Sequence, residues 1–297
     1  MDGPEGRGAA AEGGAHAVII DAHHHLWTTD YQWLTEPGLE SIRRDYTVAD
    51  LVPRLDESNV TATVLVEAGR CDAEETAEFL AHAAGTPRIA GVVGWASLTD
   101  PAISATLAGY RELPGATKLV GLRDQVQGVT DPGHLARPDV RATLAAIGAA
   151  DLTFDLVVHA GQLPSCAEAA RATPGTTFVL DHLGKPRITS DGLAEWRTAV
   201  RDLAGCDNVV AKLSGLLTEV GPGWQVADIR PYVDTALELF GPHRLMAGSD
   251  WPVCDLVASY AEAWSALDAC LGELSSVERA AVLAGTAIRT YALEVGS

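Results

Sequence analysis

The sequence predicts an α/β fold, a single-domain (β/α)8 TIM barrel, and three observations carry that prediction. Eight short β-branched or apolar runs recur along the chain. Helix-like segments lie between most of them. The polar residues best suited to chemistry fall at the carboxyl ends of the runs. A chain of 297 residues suits one such barrel, which typically takes about 250 residues.

The runs, in order, are VIID (18–21), ATVLVE (62–67), IAGVVGW (89–95), KLVGLR (118–123), FDLVVH (154–159), TFVLDH (177–182), NVVAKLS (208–214) and RLMAGSD (244–250). Near-continuous apolar character, rather than strict alternation, marks strands buried on both faces, as parallel strands are. Examples of the helical segments are 47–59, 71–85, 137–150, 193–205 and 228–241, with a final pair at 259–271 and 275–291. Several begin at Asp, Ser or Thr and end near Gly or Asn, the residue types that cap helices. No Gly-rich dinucleotide fingerprint follows the first run, so an open nucleotide-binding sheet is disfavoured. Residues 27–46 carry two Trp and little periodicity, and read as a long loop over the active face. Residues 1–17, rich in Gly and Ala, read as a disordered tail, and 18–297 as the barrel.

The chain holds 21 Lys plus Arg against 40 Asp plus Glu, a formal charge of −19. Such a surface repels phosphate backbones and anionic lipid, which disfavours nucleic-acid and membrane partners and leaves a small-molecule substrate. The five cysteines are widely spaced and odd in number, so reduced thiols in a cytoplasmic protein are expected. The amino terminus lacks the basic start and apolar stretch of a signal peptide. Oligomeric state is not legible.

All strands of a barrel point their carboxyl ends to one mouth, where active sites lie. His23 and His25 in DAHHHLW are two residues apart, so on a strand they share a face and form a chelate suited to zinc. His159 ends the fifth run, Asp181-His182 the sixth and Asp250 the eighth. Together they propose a metal site of His23, His25 and Asp250, with His159 and His182 beside it.

DAHHHLW (21–27), VGLRDQVQ (120–127), DHLGKP (181–186), KLSGL (212–216) and GSDWPVC (248–254) resemble the amidohydrolase superfamily, and within it the amidohydrolase-2 group of sugar-lactone and pyrone lactonases. The resemblance implies a hydrolase, a lactonase of carbohydrate metabolism. Strand 4 offers Arg123 where binuclear members carry a bridging ligand, so a two-metal site is not expected. One divalent metal, zinc by ligand type, and metal-free catalysis both fit the resemblance.

In this reading Asp250 is the general base, its pKa raised by desolvation. His182 and His159 assist it, and Arg123 either donates to the oxyanion or a substrate hydroxyl, or forms a salt bridge with Asp124 or a neighbouring loop acid. Lys185 and Ser214 are weaker candidates for direct contact. Trp27, Glu67, Lys212 and Trp251 are the expected substrate contacts. Few cations at the strand ends favour a neutral aldonolactone, such as an L-fucono- or L-rhamnono-lactone, over a pyrone dicarboxylate. A metal-dependent decarboxylase of an aromatic acid is the alternative from the same wider family.

Overall fold

A computed structural model describes residues 17–189 and 191–296. Of the tail expected at 1–17, all but Ala17 lies outside the described residues. Eight parallel strands follow chain order around one sheet. They are β1 (Ile20–His24), β2 (Ala62–Val66), β3 (Ile89–Trp95), β4 (Leu119–Asp124), β5 (Thr153–Leu156), β6 (Phe178–Leu180), β7 (Val209–Leu213) and β8 (Leu245–Ala247). Helices connect the strands, completing a (β/α)8 barrel. Among the described residues no helix is long and apolar enough to cross a membrane.

The strands are apolar on both faces because each face has its own core. Ile20, Ala22, Val64, Val66, Val93, Val179 and Met246 fill the lumen, with Tyr291 and Leu293 from the C-terminal segment packed against them. The other face, with Leu65, Ile89 and Val92 for example, packs against the surrounding helices. Caps set several helix starts: Asp72 accepts the Glu75 N–H at 2.8 Å, and Ser259 and Glu262 bond each other's backbone N–H in a reciprocal box.

The ring closes just beyond β8. His24 bridges Trp251, the His25 N–H donates to the Trp251 carbonyl at 2.7 Å, and the Asp250 N–H donates to the His23 carbonyl at 2.9 Å. Buried Asp21 seals this seam. It accepts the Ser249 N–H at 2.8 Å, the Ser249 hydroxyl at 2.6 Å and the Tyr260 hydroxyl at 2.9 Å.

Strand ends differ from the sequence reading in a way that matters for function. β1 runs on through His24, so His23 and His24 belong to a buried strand and His25 follows directly after it. β5, β6 and β8 stop at Leu156, Leu180 and Ala247, short of the polar residues expected to end them. Past β6 and β8 the chain turns sharply, with His182 and Leu183 at φ 53° and Asp250 at φ 58°. Two further helices, Ile103–Arg111 and Leu163–Ala172, lie between the strands in addition to the segments named from the sequence. Residues 27–46 hold two short 3-10 turns, and a Trp27–Tyr46 bridge joins their ends.

Candidate active site

The alternation of β1 places the rings of His23 and His25 side by side, with their Nε2 atoms 3.1 Å apart. His24 faces the other way and bonds the Thr63 hydroxyl at 2.9 Å. Beyond β6, the left-handed backbone at His182 brings its ring edge-on to His23, with centroids 4.5 Å apart. The left-handed turn at Asp250 then aims Oδ1 at all three rings. It lies 3.7 Å from His23 Nε2, 3.6 Å from His25 Nε2 and 3.8 Å from His182 Nε2. Gly215 makes room for this approach: a Cβ there would come within 2.6 Å of His182 Nδ1 and 3.0 Å of Asp250 Oδ2.

The far nitrogen of each ring is held from behind. His25 Nδ1 bonds the Val66 carbonyl at 2.8 Å. A carbonyl only accepts, so Nδ1 carries the proton and a neutral His25 turns a lone pair inward at Nε2. His182 Nδ1 bonds Ser214 Oγ at 2.9 Å. His23 Nδ1 lies 3.3 Å from Asp181 Oδ1 and 3.1 Å from Lys212 Nζ. Burial drives the His182 pKa down to about 4 and that of His23 well below its usual value, which keeps both rings neutral, the ligating form.

This arrangement fits a divalent metal. A lone pair at His25 Nε2 faces another nitrogen at 3.1 Å, and the buried Asp250 Oδ1 has no hydrogen-bond partner. A cation among these atoms satisfies both. Tetrahedral zinc places its nitrogen and oxygen ligands roughly 3.3 Å apart, and the separations here run from 3.1 to 3.8 Å. His23, Asp181 and His182 form a second possible group, but the Lys212 ammonium already lies 2.9 Å from Asp181 Oδ1.

Beneath the cluster lies a buried ionic network. Arg123 donates to Glu67 Oε1 at 2.5 Å, to the Glu67 carbonyl at 2.5 Å and to Asp181 Oδ2 at 2.8 Å. Glu67 also accepts from the Gly69 N–H at 2.8 Å and from Gln125 at 2.6 Å. Lys212 donates to Asp155 at 2.6 Å, which also accepts the Tyr291 hydroxyl at 2.6 Å.

Above the cluster is a cavity of about 370 Å³. Trp27, Trp33 and Leu39 give it an apolar wall, and Gln125, Gln127 and Lys185 a polar one, with His25, His182, Arg123 and Asp250 also exposed to it.

Several expected roles change on this geometry. Glu67 and Lys212, expected as substrate contacts, are wholly buried, engaged in the ionic network and absent from the cavity lining. Trp251 is buried in the barrel seam and does not line the cavity. His159 is exposed and outside both the cluster and the cavity, because β5 ends three residues earlier. Arg123 reaches the cavity, but its paired carboxylates are Glu67 and Asp181 rather than Asp124. Burial opposes the charge on Asp250, yet the His182 and His25 rings and Lys185 outweigh it and hold its pKa below the ordinary value, the reverse of the expected rise. Gln125 and Gln127 went unnoticed in the sequence. Their signal is the alternation of Arg123, Gln125 and Gln127, which continues the face of β4.

Known proteins share this sequence and fold. Residues 20–293 match the family described as amidohydrolase. An L-fucono-1,5-lactonase of Burkholderia multivorans is 39% identical over 292 residues, covering 93% of this chain and 97% of its own. Another from Burkholderia ambifaria is 36% identical over 282 residues, covering 93% of this chain and 96% of its own. The crystal structure of an amidohydrolase from Burkholderia multivorans with bound zinc superposes with a TM-score of 0.87 at 39% identity, over 94% of this chain and 100% of that one. Barrel, imidazole cluster and full-length identity lead to one conclusion: the chain belongs to the amidohydrolase family of enzymes.

Proposed function

We propose that this enzyme opens a neutral sugar lactone, an aldonolactone such as L-fucono-1,5-lactone, by adding water across the ester bond. The observation that carries the reading is the cavity's supply of cations. Arg123 is tied to Glu67 and Asp181 from behind, which leaves Lys185 as the one lining cation without an ion pair among the described residues. A dicarboxylate or an aromatic acid calls for a bidentate clamp that this lining lacks. A lining of tryptophans and amides suits a neutral ring with hydroxyls. The two lactonases at 39% and 36% identity support the same substrate class.

His23, His25 and Asp250, with His182 beside them, would hold one divalent ion, zinc by their nitrogen-rich donor set, which would supply Lewis acidity toward the lactone carbonyl. Asp250 is ionised at neutral pH and takes the proton of the attacking water, then returns it to the departing ring oxygen. Val66, Ser214 and Asp181 hold the three rings in register with it. Trp27 and Trp33 cover the apolar side of the ring and exclude bulk water there. A cytoplasmic setting agrees with five unpaired cysteines.

Aldonolactones added to the metal-loaded enzyme in a pH-indicator assay are expected to be hydrolysed. Asp250→Asn should lower kcat by about a thousandfold, within the range for loss of a general base, while the melting transition stays cooperative. Silence of the wild-type enzyme across the aldonolactones would overturn the reading, and near-normal turnover in a folded Asp250→Asn variant would remove Asp250 from the proton transfers.

A further inference from the structure

We propose that Lys185 is a catalytic residue of this enzyme, its ammonium donating a hydrogen bond to the ester oxygen that gains negative charge as the lactone opens. The inference rests on the lactone-opening reading above and assigns a role to a group which that reading leaves idle.

Lys185 is held where such a donor belongs. It follows the turn Asp181–Gly184 that carries His182, and it sits in the left-handed region at φ 49°. A residue with a Cβ is disfavoured in that region, and the turn accepts that strain at His182, Leu183 and Lys185. Both side chains line the cavity. Nζ makes one hydrogen bond among the described residues, to Gln127 Oε1 at 2.6 Å. An ammonium has three N–H groups, so two are left for a ligand. Lys212 and Arg123, by contrast, are pinned by buried carboxylates on the far side of the cluster.

The anchor of this ammonium is itself fixed. Gln127 Nε2 donates to Gln125 Oε1 at 3.1 Å, and Gln125 Nε2 donates to Glu67 Oε1 at 2.6 Å. Glu67 is locked by Arg123. The row therefore has one direction. Glu67 can only accept, so each glutamine must turn its amide NH2 toward Glu67 and its carbonyl toward Lys185. Gln127 is a positioning residue that presents an acceptor to Nζ and holds it in place before substrate arrives, which is the condition for electrostatic catalysis. Lys185 lines the same cavity as Asp250 and His182, and its charge is felt at both, as well as at Glu219 and His159.

The chemistry balances without further reagents. The water oxygen bonds to the carbonyl carbon, the π pair moves to the carbonyl oxygen, and Asp250 takes the proton. On collapse the pair on the carbonyl oxygen re-forms the π bond, the carbon–ring oxygen bond breaks with its pair going to the ring oxygen, and Asp250 returns the proton there, leaving a carboxylic acid and a hydroxyl. Lys185 stays protonated throughout and only stabilises charge on the ester oxygens.

The test is steady-state kinetics of the full chain with L-fucono-1,5-lactone. Lys185→Met should lower kcat about a hundredfold, the usual loss for one such donor, with KM changed by no more than about threefold. Its metal content by elemental analysis should match wild type, which separates the effect from loss of the ion. Gln127→Leu should lower kcat about tenfold while leaving Lys185 in place. Propylamine added to Lys185→Ala should restore part of kcat, and this rescue decides the case even if Lys185→Met folds poorly. If the wild type is active but Lys185→Met keeps its kcat, or loses only affinity, the role assigned to Lys185 falls and the lactonase reading stands. If the wild type is inert toward lactones, both fall. Failure of the amine to rescue a folded Lys185→Ala variant also counts against the donor role.

Discussion

Asp250, His182 and Lys185 all line the cavity, and all three have left-handed backbones without being glycine. Such strain persists only where the surroundings fix it and commonly marks a working site. Elsewhere it can be relieved at no functional cost. Ala292 is exposed at φ 48°, beside the C-terminal helix, and Ala292→Gly should raise stability by about 1 kcal/mol, seen as a melting temperature roughly 2–4 °C higher. Lys212 is the opposite case. Lys212→Met strands the buried Asp155 and Asp181 carboxylates, so denaturant titration should show a loss of about 3–5 kcal/mol. A change under 1 kcal/mol would mean the network reorganises around water. The sequence revealed the chemical identity of the cluster residues but not their partners. Asp181 reads as the natural neighbour of His182, yet it serves His23 and Arg123 while Ser214 serves His182. The left-handed backbone at His182 turns its ring away from Asp181, and partners across a barrel are set by register, which a single sequence does not encode locally.

Between elements, Glu75 joins the segment over the cavity to the barrel. It lies in the helix Ala73–Gly85 and accepts the Tyr31 hydroxyl at 2.7 Å and the Ala68 N–H at 3.0 Å. Trp33 in turn bonds the Ala68 carbonyl at 2.8 Å. Burial, reinforced by the charge of Glu67, pushes the Glu75 pKa up to about 7. The folded protein therefore keeps a proton that the unfolded chain has released, and stability drains away between the ordinary glutamate pKa of about 4.3 and about 7, then levels off. Glu75→Gln is neutral at all pH and escapes that decline. Its stability relative to wild type should be greater at pH 8 than at pH 5, measured by denaturant titration at both, and a pH-independent difference would show that Glu75 titrates normally. Element centres were legible in the sequence because apolar runs demand burial on both faces. Element ends were not, and His159 shows why. An apolar run continues through Val157 and Val158, so nothing in composition reveals that pairing stops at Leu156 and that the next turn carries the ring outward.

For the molecule as a whole, alternating runs and helical segments were enough to read the barrel, since few other folds bury eight parallel strands in chain order. What could not be read was where the ring joins. One ion held among side chains from β1 and the turns after β6 and β8 should tie these distant segments together. Protein purified without chelator is expected to hold about one equivalent of divalent metal, and its removal to lower the melting temperature, since a ligand bound only by the folded state stabilises it. An unchanged melting curve after complete removal would show that the imidazoles and Asp250 hold their places unaided.

The seam between the first strand and the stretch after the last also has a bearing on how the enzyme comes into being. A nascent chain that has not yet emerged past Asp250 already carries His23, His25 and His182. It lacks the acid, and it lacks the Trp251 carbonyl that pins the His25 backbone. Catalysis therefore cannot arise gradually as synthesis proceeds. It switches on when the two extremities of the polypeptide find each other, and regain of turnover after dilution from denaturant serves as a clock for that last encounter.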